Sequence, residues 1–219
     1  MAETFLELSL DDRRDALGVA ADATGRPAHL LEKDVWVVWT LATLFASPLG
    51  EHLVFKGGTS LSKGYGVIRR FSEDVDLTYD IRALAPDLVG EDGEALPKSR
   101  SEERRWSKAV RHRLPDWVAE EVDPILSKAI ADGSLAAKTR VDGDRLFVEY
   151  EAAAAGSGYV SPNVMLEFGA RSTGEPASYR DVVCDAAESL DGVEFPVARP
   201  RVMHAERTFW EKATAIHVF

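Results

Sequence analysis

Segment 52–79 constrains the fold of this chain more than any other part of the sequence. Residues 52–55 have the composition of a short strand, and the pair Gly57-Gly58 comes almost directly after them. Residues 59–65 then read as the first turns of a helix, and 75–79 alternate apolar and polar side chains, as a half-buried strand does. A strand, a glycine turn, a helix and a second strand within so short a stretch predict a sheet with helices packed against it.

The glycine pair can bring the backbone close to an anion, because neither residue has a Cβ atom. Free amides at the start of the adjoining helix would face that anion, and the hydroxyls of Thr59 and Ser60 could add donors. Lys56, just before the glycines, contacts a phosphate in this interpretation and faces solvent in the alternative one. A glycine pair alone is more often a plain turn, so the prediction also needs carboxylates nearby that could hold a metal ion.

The carboxylates of Asp74 and Asp76 lie two residues apart on the second strand and therefore point to the same side. Like charges held this close repel each other, and a divalent cation between them relieves the repulsion. Mg²⁺ also takes nucleotide phosphate oxygens as ligands, so we expect a magnesium–nucleotide site here. The same spacing is common on solvent-facing strands, but the intervening Val75 and Leu77 favour a half-buried one.

A third carboxylate is expected from Glu167, within the apolar strand 163–168. A buried carboxylate needs a partner, and either a shared metal or a salt bridge to an arginine such as Arg171 would provide it. Glu149, on the predicted strand 145–151, is the competing candidate. The small residues of 152–158 predict a hairpin-like connection that pairs these two strands.

Helices are predicted on both sides of this region. Ser9 caps a helix that runs to about residue 22 and ends near Gly25, and a second, broadly apolar helix opens after Pro27 and runs to about residue 45. Further helices are expected over 102–119, over 122–130 and from 205 onward, with a short strand over 193–197, whereas 80–97 is interpreted mainly as loop. The resulting prediction is an α+β fold with a small mixed sheet flanked by helices.

Three parts are expected along the chain: a helical part over 1–50, a sheet-containing core over 51–200, and the start of a C-terminal helical lobe over 201–219. The sequence stops at Phe219 without a capping residue. We therefore interpret the helical lobe as cut short and expect it to continue in a longer chain.

Composition limits the functional classes. Cys184 is the only cysteine, so no intramolecular disulfide can form, which fits a reducing cytoplasm. No stretch approaches the ~20 apolar residues of a membrane span, and the N-terminus lacks the basic residues of a secretory signal. We therefore expect a cytoplasmic protein with no membrane partner.

Charge is unevenly distributed. The net charge of −11 argues against a protein that coats nucleic acid, because phosphate binding needs local positive charge. Segment 98–113 nevertheless holds seven basic residues against two acidic ones. We call this set the basic stripe: Lys98, Arg100, Arg104, Arg105, Lys108, Arg111 and Arg113. It is either a solvated helix face or a track for a polyanion.

Together these features resemble a known family pattern. The runs Phe55-Lys56-Gly57-Gly58-Thr59-Ser60-Leu61, Phe71-Ser72-Glu73-Asp74-Val75-Asp76-Leu77 and Met165-Leu166-Glu167-Phe168 resemble the polymerase-β-like nucleotidyltransferase superfamily. Within it, they resemble the AbiEii/AbiGii-type toxins, which include the MenT toxins. Glu32-Lys33-Asp34 and segment 208–217 are similar to the same family. Two departures stand out: the 15-residue gap between Gly58 and Asp74 is slightly long, and the family's later Arg-Asp segment would lie beyond Phe219.

The resemblance implies a role for each candidate residue. Asp74 and Asp76 would hold Mg²⁺ and a nucleoside triphosphate, and Glu167 would be the third metal ligand and the base that activates the acceptor hydroxyl. Lys212 matches a lysine that reaches the nucleotide phosphates; its alternative is a salt bridge to a nearby acid. Ser72 would lie close to the γ-phosphate, either as a point of inhibitory modification or as a simple turn hydroxyl.

The resemblance also implies a function. It is that of a toxin in a toxin–antitoxin system of the abortive-infection type, which transfers nucleotides from an NTP to RNA and thereby blocks translation. The 3′ end of tRNA is the expected acceptor, a cognate antitoxin is the expected protein partner, and the basic stripe would guide the RNA. Two alternatives stay open: a non-catalytic protein of the same fold that binds nucleotide or a partner, and a nucleotidyltransferase that acts on a small molecule or a protein.

Overall fold

A seven-stranded mixed sheet forms the centre of the structure. The computed structural model describes residues 3–68, 74–89, 95–154, 156 and 161–216. The strands in these ranges are β1 Glu3–Thr4, β2 Leu53–Lys56, β3 Asp74–Tyr79, β4 Ala137–Asp142, β5 Arg145–Tyr150, β6 Asn163–Gly169, β7 Ala177–Tyr179, β8 Val182–Val183, β9 Val193–Glu194, β10 Val197–Ala198 and β11 Arg201–Met203. The main sheet has the order β4-β5-β6-β3-β2-β11-β7, and β1 with β9 and β8 with β10 form separate pairs.

The helices surround this sheet. They are α1 Leu10–Thr24, α2 Ala28–Ala46, α3 Gly57–Lys63, α4 Ile81–Leu84, α5 Arg100–Trp117, α6 Asp123–Asp132 and α7 Ala205–Ile216. Shorter 3-10 turns cover Phe5–Glu7, Pro48–Glu51 and Ala187–Ser189. The predicted α+β fold with a mixed sheet flanked by helices is confirmed, although the sheet is larger than expected. The division into three parts stays a prediction.

The first two helices begin and end where local chemistry predicts. The Ser9 hydroxyl accepts a hydrogen bond from the amide of Asp12 at the start of α1, and Gly25 ends the helix with a φ of +69°. Helix α2 is apolar on most sides and is buried along much of its length. Its Trp36 ring stacks on Tyr150 of β5 with centroids 5.0 Å apart. The core therefore lies between α2 and the sheet face that carries Tyr150.

Helices α5 and α6 are one continuous rod, joined by the π-helical turn Val118–Val122, whereas the sequence predicted two neighbouring helices. Trp117 packs against Tyr79 of β3 and Phe168 of β6, with ring centroids 4.4 and 5.6 Å apart. Side chains alternate along a strand, so Tyr79 points to the opposite face from Asp74 and Asp76. The rod therefore covers the face that does not carry the carboxylates.

Several strands were missed by pattern alone. Strand β4 is an edge strand whose outward residues are charged, so its apolar signal is weak. Strands β7 and β11 have three residues each, too few for an alternating pattern. The single strand predicted over 193–197 is two strands, β9 and β10, separated by Phe195 and Pro196, where proline has no amide to donate.

The remaining loop prediction is largely correct. Segment 80–97 contains one helical turn, α4, and the rest of its described residues are irregular.

None of the helices in the described part of the chain combines the length and apolarity that a membrane crossing requires.

Candidate functional site

The structure places Asp74, Asp76 and Glu167 on one face of the sheet. On β3 the two aspartates alternate with Val75 and Leu77, which are fully buried in the core. Strand β6 runs parallel to β3, and Asp76 is directly paired with Glu167. Paired residues of neighbouring strands share a face, so the three carboxylates project together, away from the helices α2, α5 and α6.

Electrostatic interactions couple these groups. Burial raises the pKa of Asp76 above its usual value, and the negative charges of Glu167 and Asp74 also raise it. Lys56 and Lys212 lower this pKa, and the effect of Lys56 is larger than that of either acid alone. The charged form of Asp76 is thus destabilised by burial and by the neighbouring acids, which is the situation that a bound divalent cation relieves.

The carboxylates fit a metal ion in part. Asp74 and Asp76 offer two hard oxygen ligands, and Mg²⁺ is commonly held by one or two carboxylates together with substrate phosphates. Within the described ranges, however, no three His, Cys, Asp or Glu side chains are arranged to hold a metal ion. Two carboxylates therefore suit Mg²⁺, and a third ligand would require Glu167 to move.

Glu167 forms an ion pair with Arg145 of the neighbouring strand. Its Oε2 lies 3.4 Å from Nη2 of Arg145, and its side chain is 44% exposed. The prediction that Glu167 is buried is wrong, because only its apolar neighbours on β6 face the core. Its arginine partner is Arg145 rather than Arg171, since the antiparallel register of β5 and β6 sets Arg145 directly opposite Glu167.

The competing carboxylate, Glu149, belongs to a different cluster. The Nε of Arg140 donates to its Oε1 at 2.8 Å, and Nζ of Lys138 lies 3.5 Å from its Oε2. The hydrogen bond from Arg140, and then Lys138, lower the pKa of Glu149. It is opposite Asn163, at the far end of β6 from Glu167, and does not join the three carboxylates.

Gly57 is required by its contact with Asp76. Its φ is +77°, a conformation that residues with a Cβ atom rarely adopt. A Cβ atom built on Gly57 would lie 1.8 Å from Oδ2 of Asp76, which is far inside any tolerable contact. The glycine turn and the aspartate therefore form one packed unit, with the buried Gly58 continuing into the first turn of α3.

The hydroxyls of Thr59 and Ser60 are already engaged. Thr59 donates to the main-chain carbonyl of Asp74, and Ser60 donates to the carbonyl of Gly57 at 2.9 Å. Both side chains are buried, so their hydroxyls need internal partners. The expectation that these hydroxyls face a phosphate does not fit this geometry. Instead they fix the glycine turn against the start of β3.

The cationic side of the site is formed by β2 and α7. Lys56 is paired across the sheet with Asp76, and its Nζ lies 3.4 Å from Oε2 of Glu211 on α7. Glu211 was not predicted as a site residue. Its Oε1 is also 3.4 Å from Nε of Arg207. Glu211 thus links α7 to the strand that carries Lys56, and its only sequence signal was its place beside Lys212.

Lys212 is exposed and acts on Asp76 through space. The alternative interpretation, a salt bridge to a nearby acid, is not seen with any described residue. Ser72 lies outside the described residues, so its predicted position near the γ-phosphate stays a prediction.

The segment Glu32-Lys33-Asp34 supports the site from behind. The carboxylate of Glu32 accepts hydrogen bonds from the amides of Ala153 and Ala154, at 2.8 and 3.1 Å, and is almost fully buried. Desolvation raises the pKa of Glu32, against the effect of these two hydrogen bonds. This residue therefore anchors the chain that leaves β5.

Asp34 anchors the helix after the glycine turn. Its Oδ1 lies 2.7 Å from Nζ of Lys63 at the end of α3, and its Oδ2 accepts the amide of Asp185 at 2.7 Å. The same Nζ lies 2.9 Å from Oδ1 of Asp185. A buried cation between two carboxylates thus ties α3 to α2, and Lys63 is not available to a phosphate.

Some residues of the basic stripe form ion pairs and others do not. Arg105 pairs with Glu102, and Arg113 pairs with Asp87. Four exposed cations share one face of α5 and form no ion pair with any described residue: Arg100, Arg104, Lys108 and Arg111. They give this helix a local positive surface in an acidic protein.

This positive surface does not line the carboxylate site. Helix α5 ends at Trp117, which packs on Tyr79 at the end of β3. Asp74, at the other end of the strand, lies about 17 Å from Tyr79 along β3 and projects to the opposite face. The basic stripe therefore belongs to a helix that packs on the other face of the sheet.

Comparison with known proteins identifies the family. A family model described as a nucleotidyl transferase AbiEii toxin of a type IV toxin–antitoxin system matches residues 39–218, which include the glycine turn, the three carboxylates and Lys212. MenT4, a nucleotidyltransferase toxin from Mycobacterium tuberculosis H37Rv, is 19% identical with a TM-score of 0.47; the match covers 90% of this chain and 57% of MenT4. The chain thus spans less than two thirds of that toxin's length. No curated protein matches the sequence. Because the family model covers most of its length, the chain belongs to the AbiEii family of nucleotidyltransferase toxins.

Proposed function

We propose that this protein is a Mg²⁺-dependent nucleotidyltransferase that transfers a nucleotide from an NTP to RNA, with the 3′ end of tRNA as acceptor. It acts in the cytoplasm as the toxin of a toxin–antitoxin pair, blocks translation, and is controlled by a cognate antitoxin. The observation that carries the proposal is the placement of Asp74 and Asp76 on one face of the sheet beside Gly57, with Glu167 paired to Asp76 on the next strand and the charges of Lys56 and Lys212 acting on Asp76.

The aspartates and the cations divide the work of binding. Asp74 and Asp76 would hold Mg²⁺, which when bound neutralises charge on the triphosphate and on the reacting oxygens. Lys56 and Lys212 would contact the β- and γ-phosphates, because they are the cations that act on Asp76. Because Gly57 has no Cβ atom, the Asp76 carboxylate can lie directly against the turn.

Glu167 is the candidate general base. It would accept the proton of the acceptor hydroxyl as that oxygen forms a bond to the α-phosphorus and the bond to the pyrophosphate oxygen breaks. The leaving pyrophosphate carries the electron pair away towards the lysines. Arg145 holds Glu167 in the free protein, so the side chain would have to turn from Arg145 before it takes the proton.

A transfer assay tests this function. Purified protein is incubated with each labelled NTP, Mg²⁺ and total tRNA, beside Asp74→Asn and Asp76→Asn variants. Asp132→Asn, which alters an exposed aspartate of α6, is the matched control. Label on tRNA that vanishes in the two site variants and persists in the control is the expected result.

Two other outcomes point elsewhere. Label on protein or on a small molecule, with none on tRNA, would identify a nucleotidyltransferase with another acceptor. Nucleotide binding without label on any acceptor would support a non-catalytic binding protein, an interpretation favoured by the incomplete set of metal ligands among the described residues.

A further inference from the structure

The face that carries the carboxylates continues across two more strands. Asp74 is paired with Met165, Met165 with Phe147, and Phe147 with Arg140, so these four residues form one row across β3, β6, β5 and β4. The adjacent row runs from Asp76 through Glu167 and Arg145. Residues two apart on a strand share a face, so both rows project to the same side.

This side of β4 and β5 is open in the described part of the chain. Arg140 is exposed, and Phe147 and Met165 are half-buried although they lie in the middle of strands. Helix α6 approaches β4 on the other side, where the hydroxyls of Ser127 and Thr139 are 2.7 Å apart. An aromatic ring and a thioether therefore remain partly exposed next to charged residues.

The aromatic ring is combined with a fixed guanidinium group. Arg140 lies over the Phe147 ring, with its Cζ 4.0 Å from the ring centroid. Its Nε donates to Glu149 at 2.8 Å, which holds the guanidinium in this position. Unpaired bases stack on aromatic rings and on arginine planes alike. Phe147 is about 10 Å and Arg140 about 14 Å from Asp74 across the strands, close enough for the nucleotides next to a reacting end.

The geometry of transfer indicates which ligand lies on this side. Attacking and leaving oxygens stand on opposite sides of the phosphorus in phosphoryl-type transfer. The cations that would receive pyrophosphate, Lys56 and Lys212, lie on the β2 and α7 side of Asp76. The acceptor must then arrive from the side of Glu167, which leads directly to Phe147 and Arg140.

We propose that Phe147, Arg140 and Met165 form a stacking platform for the last bases of a single-stranded polynucleotide acceptor. This inference rests on the proposed function, because it assigns the acceptor to that same site. A small-molecule acceptor would not extend across three strands, and a flat ring under a guanidinium group matches the flat face of a base. Lys138, two residues from Arg140 on the same face of β4, is exposed and pairs with the same Glu149.

A binding experiment tests the platform without relying on catalysis. The probe is a labelled single-stranded oligoribonucleotide of mixed sequence, with and without the base on its 3′-terminal nucleotide, and its affinity is measured by fluorescence anisotropy. The variants are Arg140→Gln, on the surface, and Phe147→Leu, which keeps apolar volume. Arg180→Gln is the matched control, because its guanidinium lies 3.9 Å from the Tyr65 ring, outside the two rows.

Removal of the terminal base should weaken binding to the unmodified protein by about 5- to 100-fold. The ratio of the two affinities, with and without the terminal base, should fall towards one in Arg140→Gln and Phe147→Leu. Arg180→Gln should keep the ratio of the unmodified protein, and all variants should bind a fluorescent NTP equally. Equal affinity of the unmodified protein for both probes would overturn the platform, and so would an unchanged ratio in Arg140→Gln. If nucleotide transfer is never observed but the ratio still depends on Phe147, the proposed function fails and the platform stands.

Discussion

Replacement of Gly57 by alanine should damage both the stability of the protein and its metal site. The residue has a φ of +77°, and the added Cβ would lie 1.8 Å from Oδ2 and 2.6 Å from Cγ of Asp76. Two hydrogen bonds hold the turn in place: the Ser60 hydroxyl donates to the Gly57 carbonyl, and the Thr59 hydroxyl donates to the Asp74 carbonyl. The Asp76 side chain must therefore leave its position.

The magnitude of the destabilisation combines two separate costs. A left-handed backbone conformation costs a residue with a Cβ atom about 1–2 kcal/mol. Forcing extra volume into a packed site costs about 1–3 kcal/mol more. We expect Gly57→Ala to lower the free energy of unfolding by about 2–5 kcal/mol in total. Gly25 is the matched control: its φ is +69° and nothing lies within 4 Å of its added Cβ, so Gly25→Ala should show the backbone cost alone.

Urea denaturation of both variants, with and without an additional Asp76→Ala change, measures the two costs. The excess cost of Gly57→Ala over Gly25→Ala should shrink once the Asp76 carboxylate is removed. Stabilisation of the folded protein by Mg²⁺ and NTP should also be lost in Gly57→Ala and kept in Gly25→Ala. Equal costs for the two glycines, or an excess that persists without the carboxylate, would refute the contact between the turn and Asp76.

Three further predictions concern the supports of the site and the basic stripe. Lys63→Met leaves the buried Asp34 charge without its cation, so chemical denaturation should show a loss of about 3–5 kcal/mol; a loss below about 1 kcal/mol would contradict this. Burial raises the pKa of Glu32 above its ordinary 4.5, so the folded protein favours the protonated form of this side chain. The stability that Glu32 contributes is therefore fully present below pH 4.5 and is lost as the pH rises through the folded-state pKa. Unfolding free energies measured over a pH series should therefore decline less with pH in Glu32→Gln than in the unmodified protein. Parallel curves for the two proteins would contradict a raised pKa of Glu32. Reversal of Arg104 and Lys108 to Glu should weaken RNA affinity and reduce its salt dependence while NTP binding is unchanged, and unaltered RNA affinity would exclude the stripe from RNA binding.

Local chemistry made much of the fold predictable. The Ser9 cap, the Gly25 stop and the alternation in β3 each depend on a few neighbouring residues, and all three agree with the structure. Strand β4 escaped detection because its outward side chains, such as Arg140, are charged and only its inner side packs on α6. A pattern of hydrophobicity cannot identify a strand that has little hydrophobic surface.

Non-local contacts were the part that the sequence could not supply. The residues of the candidate site were named from spacing and resemblance, but their partners depend on register. The predicted pairing of β5 with β6 is confirmed, but neither segment reveals the register that sets Arg145 opposite Glu167. In the same way, the need for glycine at position 57 comes from Asp76, which is distant along the chain and adjacent only in the folded sheet.

The central claim is that Asp74 and Asp76 together hold a metal–nucleotide complex, and calorimetric titration with a non-hydrolysable NTP analogue tests it most directly. The unmodified protein should bind the analogue in the presence of Mg²⁺ and much more weakly in EDTA. Asp76→Asn should reduce the Mg²⁺-dependent affinity by about 10- to 100-fold or more, since it removes a direct ligand rather than a supporting contact. Binding of equal strength in Asp76→Asn, or binding that does not depend on the metal, would contradict the claim.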